Sequence, residues 1–98
     1  VPEVRYITPT TRELAVAVSE VIRDHNAVLM RNHGSITVGA NLKEAFYRIE
    51  TLEIAIGIQI DAMLIGKPRA LDSRECKAIK ALESEQYREE LLKAARSA

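Results

Sequence analysis

The residues best suited to chemistry are Asn32-His33-Gly34. Histidine is both a good acid/base and a good metal ligand. The glycine after it lets a ligand or another stretch of backbone approach closely. A lone histidine in a turn is more often a capping or solvated surface residue, and spacing alone favours that reading. The other histidine, His25, cannot share an ion with His33. The strand between them spans roughly 17–20 Å at about 3.3 Å per residue, and a catalytic metal needs about three protein ligands. His25 is expected to close a helix, where its charged form suits the helix dipole. Glu50 and Glu53 stand three apart and could form a carboxylate pair, although a solvated helix face explains them as well. Tyr87 could donate a proton, or it could pack with its hydroxyl at the rim of a core. Cys76 reads as a small buried residue. No Ser-His-Asp order, Walker loop or glycine-rich dinucleotide motif is present.

The elements that must position these groups follow from periodicity and punctuation. Residues 3–7 alternate as a short strand, with Val4 and Tyr6 on one side. Thr10 with Glu13 forms a capping box for a helix over about 11–24, whose buried stripe is Leu14, Val18, Val21 and Ile22. Ala27 to Arg31 is an apolar run too short for a helix. With Ser35 to Val38 it makes a hairpin around Asn32-His33-Gly34, in which Gly34 is able to take a positive φ, and Gly39 ends it. Asn41 with Glu44 caps a long helix over 42–65, stopped by Gly66 and Pro68. Its first half turns Leu42, Phe46, Ile49 and Leu52 inward, and Glu44 pairs with Arg48 at i,i+4. From Ile54 to Ile65 it is apolar nearly all round, so a second subunit or another part of the same domain should cover it. Asp72 with Glu75 caps a last helical stretch over 73–96, which the polar run Glu83 to Gln86 can break in two. The order is β-α-β-β-α-α, part of a larger layered α/β domain.

Composition narrows the function. The 98 residues allow one domain at most. Apolar residues make up 47% and charged residues 29%, which is globular and not disordered. Fourteen basic side chains balance fourteen acidic ones, so charge gives no case for gripping nucleic acid or an anionic membrane. No run of about 18 apolar residues exists to span a bilayer. The single cysteine excludes an internal disulfide framework and any multi-cysteine zinc site, and it fits a reducing compartment, the cytoplasm. The start, Val1-Pro2-Glu3, has no initiator methionine and no signal-peptide regions, which suggests a fragment.

The stretch from Asn26 through Asn32-His33-Gly34 to Gly39 resembles the signature of the class II aldolase/adducin family. Asn41-Leu42-Lys43-Glu44-Ala45-Phe46 is similar to the start of that family's long helix, and Ile65-Gly66-Lys67-Pro68 to its end. Thr8-Pro9-Thr10-Thr11-Arg12-Glu13-Leu14-Ala15 also fits. The members resembled most are fuculose-phosphate aldolase-like enzymes. The resemblance implies a three-layer α/β/α domain of which residues 1–98 are the C-terminal half. It implies a divalent zinc held by three histidines, with His33 the third and the others in a His-x-His motif outside this chain. It also implies Tyr87 as a proton donor near the C-terminus. The implied reaction is cleavage of a sugar phosphate, such as fuculose 1-phosphate, to dihydroxyacetone phosphate and an aldehyde, in a homotetramer with active sites at subunit boundaries. Zinc would stabilise the enediolate. Two relatives of the same resemblance compete: a non-catalytic adducin-like binding or structural module, and a ribulose-phosphate 4-epimerase type. The 98 residues by themselves are expected to bind zinc weakly and to lack activity, since one imidazole holds an ion poorly.

Overall fold

A computed structural model describes residues 1–97 and shows a mixed α/β chain. The elements are β1 (Glu3–Val4), α1 (Arg12–Ile22), β2 (Ala27–Met30), β3 (Gly34–Thr37), α2 (Leu42–Ile65), α3 (Ser73–Lys80) and α4 (Glu83–Ser97). They fall into two compact units, Val1–Asp61 and the residues from Ala62 onward.

In the first unit the strands form one sheet in the order β1-β2-β3. β1 runs parallel to β2, and β2 pairs antiparallel with β3, placing Val28 opposite Ile36 and Leu29 opposite Ser35. Successive side chains point to opposite faces. One face therefore carries Val28, Met30 and Ile36, and α1 packs there. Val4, Ile7, Val18 and Val28 are the buried core, ringed by Leu14, Ala17, Val21, Ile22, Met30 and Ile36. The expected stripe of α1 is thus the observed one. Ser35 and Thr37 point to the other face and meet α2: Thr37 Oγ1 donates to the Ala45 carbonyl at 2.7 Å.

Several expectations need correction. β1 ends at Val4, and the alternation breaks after it: Tyr6 is exposed, while Ile7 turns into the core. The chain bends there towards Thr8-Pro9, and proline cannot continue a ladder. The cap of α1 is Thr11, whose hydroxyl accepts from Leu14 N–H, because Thr10 adopts a positive φ of 61° in the preceding turn. Glu13 is accordingly free to pair with Arg5 at 2.9 Å. In α2, Leu42 and Phe46 point outward, 87% and 59% exposed. Within the first unit the half-buried apolar positions of α2 are Ala45, Ile49, Leu52 and Ile56, on the side where Thr37 meets Ala45 and Ser35 meets Glu53. No residue of α2 is fully buried. Ile54 and Ile58 are exposed as well, in keeping with a helix apolar on more sides than this chain covers.

The caps of the later helices match their local chemistry. Asn41 Oδ1 accepts from Glu44 N–H at 2.9 Å, and Glu44 accepts in turn from Ala40 N–H. Glu44 pairs with Arg48 at 2.7 Å, and Arg48 also donates to the Val38 carbonyl. In the second unit Asp72 and Glu75 form a complete capping box on α3. The helical stretch breaks at Ala81-Leu82, giving two helices, α3 and α4, that pack on each other. Cys76 on α3 is exposed, not buried, because that packing leaves its side uncovered. Among the described residues no helix is long and apolar enough to cross a membrane.

Candidate metal-donor site

The turn between β2 and β3 sets the site. Met30 pairs with Gly34, leaving Arg31, Asn32 and His33 as the loop. The His33 N–H donates to the Met30 carbonyl at 3.0 Å. Asn32 has a φ of 66°. A positive φ at the third position is the mark of a type II turn, and asparagine tolerates it better than most residues. Gly34 follows at a φ of 147°, with open space where a side chain would stand. Glycine is therefore required there by backbone angle, not by crowding.

This turn presents His33 at the surface while holding its ring. Nε2 lies 2.7 Å from the carbonyl oxygen of Ile7. A carbonyl only accepts, so Nε2 carries the hydrogen and donates it, and the lone pair of the neutral ring is on Nδ1. The Tyr6 ring lies against the imidazole, with centroids 5.3 Å apart. Beside the turn runs an open groove of about 510 Å³, lined by Glu3, Arg31, Asn32, His33, Ser35 and Glu53 among others. Glu3 pairs with Arg31, and that hydrogen-bonded guanidinium holds the Glu3 carboxyl below its ordinary range. Ser35 Oγ approaches Glu53 at 3.5 Å.

The structure sorts the candidate residues. His25 donates from Nδ1 to the Val21 carbonyl at 2.9 Å and so closes α1, as expected. Glu50 and Glu53 are both exposed, and of the two Glu53 lines the groove. Tyr87 lies on α4 in the second unit and is 61% exposed, not packed in a core. Sequence reasoning missed Glu3 and Arg31 as neighbours of His33. Only the adjacency of Arg31 to the turn could have suggested them. Among the described residues no three His, Cys, Asp or Glu side chains are placed to hold one metal ion.

Residues 1–60 match the family described as Class II Aldolase and Adducin N-terminal domain. The chain belongs to the class II aldolase/adducin family. The matched residues include the whole His33 turn; Tyr87 lies beyond them. Among curated family relatives, a 5-deoxy-D-ribulose 1-phosphate aldolase of Bacillus thuringiensis is 39% identical over 77 residues, covering 76% of this chain and 36% of that protein. A 3-oxo-tetronate 4-phosphate decarboxylase of Escherichia coli is 38% identical over 53 residues, 54% of this chain and 25% of that protein. Decarboxylase NovR of Streptomyces niveus is 33% identical over 54 residues, 55% of this chain and 20% of that protein. The chain thus spans at most about a third of the length of these relatives. No solved structure matches it.

Proposed function

We propose that residues 1–98 are the C-terminal half of a three-layer α/β/α class II aldolase-type domain, and that the complete protein is a metal-dependent lyase acting on a sugar phosphate. The observation that carries this reading is the state of His33. It stands at the surface on a rigid turn, with Nε2–H on the Ile7 carbonyl and a free lone pair on Nδ1. A metal-bound imidazole is commonly held this way, one nitrogen on the ion and the other on a backbone acceptor. The donor set of this chain therefore fits a divalent ion, zinc by the family resemblance, as one ligand of three. The remaining ligands would come from the rest of the domain.

The names of two relatives support the substrate class. An aldolase acting on a 1-phosphate and a decarboxylase acting on a 4-phosphate both break a carbon–carbon bond in a phosphorylated carbonyl compound. Such cleavage leaves negative charge spread from carbon onto a carbonyl oxygen, and a bound divalent cation supplies the charge that stabilises it. His33 serves by holding its ring in one orientation and one tautomer. Tyr87 Oη serves as the proton donor to the carbanionic carbon. Fuculose 1-phosphate, cleaved to dihydroxyacetone phosphate and an aldehyde, is the substrate we would assay first. The exposed apolar face of α2 is covered in the complete protein by the rest of the domain and by neighbouring subunits, in a tetramer in the cytoplasm.

The test is to express the complete protein from its parent gene, measure bound metal and assay aldol cleavage. Metal and cleavage together support the reading. A complete protein without metal and without lyase activity would favour the adducin-like module, and one that epimerises without cleaving would favour the epimerase type.

A further inference from the structure

Glu53 stands where the packing of α2 calls for an apolar residue. Its neighbours one turn away on that side are Ile49, four before, and Ile56, three after, and both are half-buried. Residues three and four apart share a helix face, so the carboxylate interrupts an apolar seam. It lines the same groove as His33 and Arg31, and Ser35 Oγ, two residues after His33, approaches its Oε1 at 3.5 Å. The groove holds one other carboxylate, Glu3, and Arg31 already answers that charge. Among the described residues no cation pairs with Glu53. A charge placed against the local packing and left without a counter-charge weakens the fold, and such residues cluster where function requires them.

We propose that Glu53 is a positioning residue of the metal site: its carboxylate accepts a hydrogen bond from the N–H of a metal-bound imidazole that the rest of the domain brings to the groove, and its charge tightens the hold on the ion. The proposal rests on the metal-binding reading given above. A carboxylate so placed orients the ring of a metal-bound imidazole and raises its basicity. Glu50 supplies the contrast within the same helix. It lies one turn before Glu53, is exposed, and does not line the groove.

The test is the zinc affinity of the complete protein, measured by competition with a chromogenic chelator, alongside thermal unfolding of the metal-free form. Glu53→Gln should weaken zinc binding about 10- to 100-fold, while Glu50→Gln should leave it unchanged. Glu53→Leu should weaken zinc at least as much and raise the metal-free unfolding midpoint, because leucine completes the seam between Ile49 and Ile56. Unchanged zinc affinity in a folded Glu53→Gln protein would overturn the proposal and leave the metal reading intact. A lowered metal-free midpoint in Glu53→Leu would overturn it too, since Glu53 would then serve the fold. An unaltered complete protein that holds no zinc would remove the metal reading and this proposal together.

Discussion

Gly39 lies so close to the first turn of α2 that a Cβ there would stand 2.7 Å from the backbone nitrogen of Ala45. The contact explains why the segment joining β3 to α2 carries glycine at this position. Any side chain would push α2 away from β3 and strain the Thr37–Ala45 bond. Gly39→Ala should therefore destabilise by about 1–3 kcal/mol, the usual range for overpacking. Gly57, in the middle of α2 with open space around it, is the control. Gly57→Ala should stabilise by about 0.5–1 kcal/mol through helix propensity. Urea denaturation of the two variants should move in opposite directions; shifts of the same sign would contradict the packing argument.

Among the described residues two other than glycine sit at positive φ, Thr10 at 61° and Asn32 at 66°. The conformation is costly for a β-branched residue and tolerable for asparagine. Thr10→Gly should stabilise by about 0.5–1 kcal/mol, despite glycine's larger chain entropy. Asn32→Val should cost about 1–2 kcal/mol and loosen His33. Thermal unfolding checks both, and a destabilising Thr10→Gly would contradict the reading of that turn.

The start of α3 should respond to acid. Arg69 reaches the Glu75 carboxylate at 2.9 and 3.1 Å, and the Asp72 N–H donates to it at 2.9 Å. The guanidinium first, and the backbone N–H second, hold that carboxyl below its ordinary value of 4.5. The fold therefore favours the charged form. Its contribution is complete above pH 4.5 and fades as pH falls through the lower folded value. Amide shifts of Glu75 and Cys76 should report fraying of the first turn of α3 in that acid window, and Glu75→Gln should remove the response. Asp72→Ala, which removes the side chain that accepts from Glu75 N–H, should cost about 0.5–2 kcal/mol.

What the sequence reveals and what it hides divide along the range of the interactions. The caps at Asn41 and Asp72 are legible because donor and acceptor stand three residues apart. The cap of α1 is misplaced by one because Thr10 and Thr11 have the same chemistry, and only the turn after Pro9 chooses between them. The inward face of α2 is legible only in part: Ile49 and Leu52 are half-buried as expected, while Leu42 and Phe46 point outward. A helix apolar on most sides offers several stripes, and the one used, through Ala45, Ile49, Leu52 and Ile56, is chosen by the neighbouring strand. His33 stands out by its turn, yet its bond to Ile7 joins residues 26 apart and leaves no local trace.

Tyr87 can be separated from metal binding. In the complete protein Tyr87→Phe should lower kcat by about 10²- to 10⁴-fold, the range for a lost acid/base group, while metal content stays unchanged. Unaltered kcat would remove Tyr87 from the proposed chemistry without touching the role of His33.

The most direct measurement is the metal content of the complete protein and of its His33→Ala variant, after equal purification and with folding checked by circular dichroism. A ring held at Nε2 by Ile7 and open at Nδ1 predicts stoichiometric divalent metal in the first and loss of most of it in the second, with the fold retained. Equal metal in both proteins would contradict the account.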